Sequence, residues 1–231
     1  MKERNLRNSH IIPKFLYADL KNKRGQMMGI TGNGSKGWGP KQDGAKEQLL
    51  CESCESHLNT HYEQPFKKFW FDNAVLPDPW LDVKPRWLST DYGPFKLFHL
   101  SVLFRASVSS LPMFGGVNLG PHEDRIRKML FDRNPGKDYQ YPIGGFGVVH
   151  DRSREIIKLI TKPSKIKFGG KHGYEFIYGG AGWWFNVSTD RNPEFEKFSL
   201  KEDGKMCLSV TPWNEVPAVR EASKALQGIV A

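Results

Sequence analysis

The sequence is short of cysteine and has no long apolar run. Three cysteines among 231 residues are an odd and sparse set, which excludes the disulfide framework of a small secreted domain. The most apolar stretch, residues 97–108, is interrupted by His99 and Arg105, whereas a membrane span needs about 20 apolar residues. No apolar segment follows the charged residues 1–5, so no signal peptide is predicted. These absences predict a cytoplasmic protein that does not enter a membrane.

Acidic residues are also in the minority. The chain carries 34 Lys and Arg against 25 Asp and Glu, which gives a net charge of +9 and a pI near 9.4. A basic balance favours a polyanionic partner. We therefore predict that the chain binds nucleic acid, with DNA as the first choice and a protein subunit as a further partner. The lysines predicted to contact nucleic acid are Lys36, Lys41, Lys46, Lys67 and Lys68.

Hydrophobic periodicity predicts an α+β protein with an N-terminal module, a helical middle and an antiparallel β-rich C-terminal region. Residues 95–111 are apolar on nearly every side, as in a buried helix, and a second helix starts at Pro121. From residue 141 onward, β-branched and aromatic runs separated by glycine and proline predict strands, with residues 201–205 as a hairpin turn. The proline-rich residues 72–92 are predicted to form a surface linker. The predicted domains are residues 1–72 and 73–231.

One charged residue lies inside the predicted buried helix. Arg105 is surrounded in sequence by apolar residues, and a buried charge without a partner costs several kcal/mol. We predict that an acidic side chain packs against Arg105, with an anionic ligand as the alternative.

Two short motifs contain the residue types that metal-dependent hydrolysis needs. In the first, residues 9–13, an apolar run follows His10 and ends at Pro13. Because proline interrupts a strand, His10 is expected at a strand end. A histidine in that position suits a general base that takes a proton from water.

The second motif is a cysteine pair at the start of a predicted helix. Cys51 and Cys54 form a C-x-x-C, the tight thiolate spacing that zinc favours. Glu55 follows directly and suits a hard cation such as Mg²⁺ or Mn²⁺, because these ions prefer carboxylate oxygen. Asn59 lies one helical turn further on the same face, whereas His61 falls on a different face.

Together the motifs resemble those of the HNH nuclease family, which has a ββα-metal, treble-clef fold. The resemblance covers roughly residues 5–70 and is nearest to a bacterial branch with Ser-His-Ile-Ile-Pro and Leu-Cys-x-x-Cys-Glu motifs. It implies an N-terminal treble-clef ββα-metal-like module with His10 as the general base. It further implies Glu55 and Asn59 as site residues and a structural Zn²⁺ half-bound by Cys51 and Cys54.

Two departures from the family pattern concern the metal-binding residues. Ser9 stands where the family carries a metal-binding aspartate or histidine, and serine is a poor ligand. No second C-x-x-C precedes Ser9 to complete a zinc tetrahedron. Two histidines one helical turn apart could complete it instead. The resulting zinc ligands would be Cys51, Cys54, His57 and His61.

Three hypotheses of function stay open from the sequence. The first is a metal-dependent endonuclease that hydrolyses phosphodiester bonds, in phage defence or as a toxin. The second is a non-catalytic subunit that binds nucleic acid or protein on a degenerate HNH scaffold. The third places an enzymatic site near residues 174–184, where glycines would let a ligand approach the backbone.

Overall fold

A computed structural model describes residues 5–30, 38–82 and 84–220. Within these ranges the protein is a mixed α+β structure, as predicted. None of the helices in them is long and apolar enough to cross a membrane. Lys36, one of the predicted nucleic-acid contacts, lies outside the described residues.

The N-terminal part contains two pairs of antiparallel strands, and a helix follows directly after the last strand. Its elements are β1 (Leu6–His10), a 3-10 helix (Lys14–Leu20), β2 (Met27–Ile30), β3 (Trp38–Lys41), β4 (Lys46–Cys51) and α1 (Glu52–Leu58). β1 pairs antiparallel with β4, and β2 pairs antiparallel with β3. β1 ends at His10, three residues before Pro13, as the sequence predicts. From β1 the chain thus runs through a 3-10 helix and the β2–β3 pair into β4, which continues directly into α1.

The helix that follows β4 widens in its middle. α1 continues through a π-helical turn (Asn59–Glu63) into α2 (Gln64–Asp72), and the Gln64 N–H donates to the carbonyl of Asn59. Pro65 explains the widening, because it lacks an N–H and its ring would collide with a carbonyl one regular turn earlier. The buried face of the whole helix carries Leu58, Tyr62, Phe66 and Trp70.

The rest of the chain builds a six-stranded sheet with helices beside it. Its elements are β5 (Arg86–Ser89), α3 (Tyr92–Val108), α4 (His122–Phe131), β6 (Ile143–Val149), β7 (Ser164–Phe168), β8 (Lys171–Tyr178), β9 (Ala181–Asn186), α5 (Pro193–Glu196), β10 (Lys205–Pro212) and a 3-10 turn (Trp213–Glu215). The strand order is β5-β10-β6-β9-β8-β7. β10 runs parallel to β6, and the other neighbours are antiparallel.

Two sequence predictions about this sheet are wrong. The turn at residues 201–205 forms, with the Lys201 N–H donating to the carbonyl of Lys205 at 2.8 Å, but it closes no hairpin. β10 pairs with β5 and β6 instead. The predicted linker at residues 72–92 contributes the edge strand β5. Both errors concern pairings between residues distant in sequence, which local patterns do not encode.

The buried core extends across residue 72. α3 is buried along residues 95–106, because its apolar side chains face the sheet on one side and α2 on the other. The ring of Phe66 stacks on Phe98 with centroids 3.7 Å apart, and Trp70 packs on Trp183 at 5.1 Å. Side chains from both predicted domains thus share one core, while the boundary itself stays a prediction.

Candidate active site

His10 lies at the end of β1, where the strand leaves its partner. Its Nε2 is 2.7 Å from Oδ1 of Asp43, and its side chain is 17% exposed. The backbone after His10 is also held in place, because the Ile11 N–H donates to the carbonyl of Ala45 at 3.1 Å. His10 is therefore fixed on a rigid strand and still open to solvent.

Asp43 is a site residue that the sequence analysis missed. Its carboxylate accepts hydrogen bonds from Lys46 Nζ at 2.8 Å and from the Gly44 N–H at 3.0 Å, besides facing His10. The Lys46 bond, followed by the His10 bond, holds the pKa of Asp43 well below its usual range. The carboxylate is therefore charged at neutral pH. The signal was the Asp-Gly dipeptide, which marks a turn between two strands.

The buried side chain of Tyr17 contacts the loop that carries Asp43. Its hydroxyl accepts a hydrogen bond from the Ala45 N–H at 3.3 Å. A Cβ on Gly44 would lie 2.3 Å from the Tyr17 ring, so only glycine permits this approach. Burial raises the pKa of Tyr17 to about 12, which keeps the phenol neutral. The ring also lies 6.3 Å from that of His10, so one buried tyrosine supports both members of the His10–Asp43 pair.

Ser9, the residue before His10 on β1, contacts Glu55 of α1. Ser9 is completely buried, and its hydroxyl donates to Glu55 Oε2 at 2.6 Å. The contact arises because α1 begins immediately after β4, so its first turn lies against β1. A carboxylate there is also stabilised by the N-terminus of the helix. The structure thus brings Glu55 to the residue before the candidate base.

The predicted partner of Arg105 is confirmed as an acidic side chain. Arg105 Nη1 is 2.8 Å from Glu63 Oε1, with side chains 1% and 14% exposed. The same nitrogen donates to the backbone carbonyl of His10 at 3.0 Å. The ion pair therefore belongs to the surroundings of the candidate site.

The four predicted zinc ligands do not come together. Cys51 Sγ and Cys54 Sγ lie 3.1 Å apart, as a C-x-x-C turn requires. His57 and His61 do share a helix face, with ring centroids 4.7 Å apart, but His57 Nε2 donates to the carbonyl of Leu130 at 3.0 Å. Across residues 5–30, 38–82 and 84–220, no three His, Cys, Asp or Glu side chains form a group that could hold a metal. The residues present therefore do not fit the predicted zinc tetrahedron.

The environment of His61 favours its neutral form. Partial burial, then the nearby charge of Arg133 and the neighbouring His57, lower the pKa of His61. Tyr62 adds a further hydrogen bond from its hydroxyl to the carbonyl of Leu130. His57 and Tyr62 thus attach the helix to the end of α4.

The remaining predicted residues lie further from the His10–Asp43 pair or serve it indirectly. Asn59 is exposed, and its Oδ1 accepts a hydrogen bond from Gln64 Nε2 at 3.1 Å. Lys46 is the residue that pairs with Asp43. Four of the predicted nucleic-acid contacts are exposed, namely Lys41, Lys46, Lys67 and Lys68.

The oxygen donors that a hard cation could use here are the Glu55 carboxylate and the Ser9 hydroxyl. The two are joined by a hydrogen bond of 2.6 Å, and Ser9 is completely buried. Mg²⁺ keeps several waters and is usually bound by one or two carboxylates. Glu55 is therefore the candidate ligand, and a cation would have to displace its hydrogen bond with Ser9.

Residues 174–184 use their glycines for packing. They form most of the β8–β9 hairpin, and Phe176, Tyr178 and Trp183 are completely buried. A Cβ on Gly182 would lie 2.1 Å from the ring of Phe146. The glycine makes room for an aromatic side chain of the neighbouring strand. Gly179 and Gly180, between the two strands, instead line a cavity of about 130 Å³, so the third hypothesis stays a prediction.

The chain matches no family model, no curated protein and no solved structure. The resemblance to the HNH family therefore stays a prediction from the motifs, and a proposal of function rests on the geometry around His10.

Proposed function

We propose that the protein is a metal-dependent endonuclease that hydrolyses phosphodiester bonds of nucleic acid, DNA in the first place. In this proposal β1, β4 and α1 form a treble-clef ββα-metal-like module. One observation carries the proposal. A histidine at the end of β1 is paired with a charged carboxylate at 2.7 Å, and a second carboxylate, Glu55, contacts the preceding residue of the same strand.

His10 would act as the general base. The ionised carboxylate of Asp43 accepts a hydrogen bond from His10, so it favours the tautomer with hydrogen on Nε2 and leaves the lone pair of Nδ1 to take a proton from the attacking water. After proton transfer the Asp43 carboxylate stabilises the imidazolium. Such a histidine–carboxylate pair fixes both orientation and tautomer.

Glu55 and Ser9 would hold the cation. A bound Mg²⁺ or Mn²⁺ would supply Lewis acidity toward the scissile phosphate and its leaving oxygen. The contribution of the chain is to present two oxygens from β1 and α1 at one place. Ser9 contributes only a neutral hydroxyl, so we expect a weak metal site.

The surroundings suit a polyanionic substrate. The net charge is +9, and the exposed Lys41, Lys67 and Lys68 lie on β3 and α2, the elements that flank the module. We propose a cytoplasmic enzyme acting in phage defence or as a toxin, and a protein partner could complete it.

The test is a nicking assay on plasmid DNA with Mg²⁺ or Mn²⁺. His10→Ala should lower cleavage by about 10²- to 10⁴-fold, the usual worth of one positioned base, while folding and DNA binding stay nearly intact. Glu55→Gln should also lower cleavage, with partial recovery in excess Mn²⁺ because its lesion is in metal affinity. An active wild type indifferent to His10→Ala would place the chemistry elsewhere.

The second candidate function is a non-catalytic subunit on the same scaffold. Ser9 favours it, because a hydroxyl already bonded to Glu55 stands where the family motif carries a metal-binding aspartate or histidine. Ser9→Asp distinguishes the two functions. On the nuclease proposal it should raise activity or lower the Mg²⁺ concentration required. A wild type and Ser9→Asp both inert on single- and double-stranded DNA and RNA would favour the binding subunit.

A further inference from the structure

Arg105 connects the buried helix α3 to the strand that carries His10. It lies outside both sequence motifs, and its side chain is 1% exposed. Nη1 bonds to the carboxylate of Glu63 and to the backbone carbonyl of His10. Nε donates to the carbonyl of Ser101 at 3.3 Å, and Nη2 donates to the Ser101 hydroxyl at 3.2 Å. All three nitrogens of the guanidinium are therefore engaged.

The π-helical turn delivers Glu63 to this arginine. Tyr62 is buried, and Glu63 is the last residue of the turn. A regular helix places consecutive side chains about 100° apart, and the widened turn lets both of these residues face inward. Pro65, which causes the widening, thus contributes to the position of the carboxylate.

The main chain at His10 is held from two directions. On one side the Ile11 N–H bonds to the carbonyl of Ala45 in the Asp43 loop. On the other side the His10 carbonyl accepts from Arg105 at 3.0 Å. These two bonds fix the peptide plane after His10, and the Asp43 carboxylate fixes its ring.

We propose that Arg105, held by Glu63, is a positioning residue for His10, an inference that rests on the proposed function of His10 as base. Arg105 touches neither substrate nor metal. It acts by keeping the backbone of the base in one place, so that Nδ1 meets the attacking water at a constant angle. A misplacement of about 1 Å in such a group can cost about 100-fold in rate.

A purely structural role of this arginine would appear as lost stability. Removing one member of a buried ion pair leaves the other charge unpaired and destabilises the fold, so the melting temperature alone does not test positioning. Methionine at position 105 would fill the space among the apolar residues of α3. It cannot donate to the His10 carbonyl, which is the property that the proposal requires.

The experiment compares Arg105→Met, Arg105→Lys and Glu63→Gln with the control Arg127→Met. Arg127 forms an exposed pair with Asp124 on α4. Two readouts are taken for each variant, namely kcat and KM for plasmid nicking per folded molecule, and the ¹⁵N spectrum of the histidine rings. The His10 signals are assigned by their loss in His10→Gln.

Arg105→Met should lower kcat by about 10- to 100-fold with KM nearly unchanged, and should shift or broaden the His10 ring signals. Arg105→Lys, which keeps one donor, should recover part of both losses, and the control should change neither. If Arg105→Met does not fold, Arg105→Lys and Glu63→Gln decide the question. A variant with a lower melting temperature but wild-type kcat and an unchanged His10 spectrum would overturn the proposal.

The two readouts separate this inference from the proposed function. If the wild type cleaves nothing, the nuclease proposal fails, yet the ring spectrum still reports on position. A His10 spectrum that changes in Arg105→Met then supports the positioning role, and an unchanged spectrum refutes it.

Discussion

His10 and His99 are two histidines in opposite surroundings. His10 is partly open to solvent and faces the charged carboxylate of Asp43. His99 is completely buried in α3, with Nδ1 2.6 Å from the Tyr178 hydroxyl. Its Nε2 has no hydrogen-bond partner among the described residues, and the Trp183 ring lies 4.0 Å from its own.

The difference shows how environment assigns a role to one residue type. Burial lowers the pKa of His99 well below its usual value, so this ring stays neutral and serves as an aromatic filler with one polar contact. A carboxylate partner instead gives His10 a fixed tautomer and a counter-charge for its protonated form. The first environment suits packing, and the second suits proton transfer.

We expect the largest effect when His10 is given a neutral partner, as His99 has. In Asp43→Asn the amide can donate to Nε2, which moves the ring proton to Nδ1 and removes the base. Cleavage should fall by about 10²- to 10⁴-fold, measured as initial nicking rates. Melting temperature and DNA binding should change little. Asp43→Asn with full activity would show that the carboxylate does not set the tautomer.

The opposite outcome is expected at the buried histidine. His99→Ala should lower the free energy of unfolding by about 3 kcal/mol, since it leaves a cavity among large aromatic side chains. Cleavage per folded molecule should stay at the wild-type level. Urea unfolding measures the first effect. Tyr178→Phe is the matched control, because it keeps the packing and removes only the polar contact at about 1–3 kcal/mol.

Stability should depend on pH through His99. The unfolded chain binds a proton as pH falls below about 6.5, whereas folded His99 does not until a much lower pH. The stabilisation is therefore fully present above that pH and is lost as pH falls, by about 1.4 kcal/mol per pH unit. Urea unfolding between pH 7 and 5 should show this slope in the wild type and a reduced slope in His99→Gln. Equal slopes would mean that His99 titrates normally.

The smallest expected effect concerns the lysines on the exposed face of α2, opposite its buried aromatic residues. Lys67→Gln and Lys68→Gln should each reduce the salt dependence of DNA binding by about one phosphate contact. The measurement is the slope of log affinity against log salt. Lys197→Gln, an equal charge change at an exposed position after α5, should leave the slope unchanged. Equal effects at all three positions would indicate a response to net charge alone.

Local patterns predicted the elements that depend on neighbours in sequence. Pro13 marked the end of β1, the apolar run marked α3, and four-residue spacing placed His57 and His61 on one face, where their rings do lie together. What that face contacts was not predictable, because Leu130 of α4 accepts the hydrogen bond of His57. The described residues do not assemble the four predicted zinc ligands, and a zinc site at the cysteine pair stays a prediction.

The acidic members of the candidate site show the same division. Glu55 was predicted, because its role follows from a motif and a helix start. Asp43 and Glu63 were not, since each depends on a tertiary contact, with His10 and Arg105 respectively. The parallel pairing of β10 with β6 was not predicted either, because it also joins residues distant in sequence.

The widened turn at residues 59–63 also has an evolutionary consequence. It acts as a one-residue insertion between the part of the helix that faces the site and the part that faces the core. Without it, every later side chain would rotate by about 100°, and Phe66 and Trp70 would leave the core while Glu55 stayed beside Ser9. A relative that lacks the extra residue should therefore carry its buried aromatic residues one position closer to its cysteine motif, and alignments of such chains should place a gap within this turn.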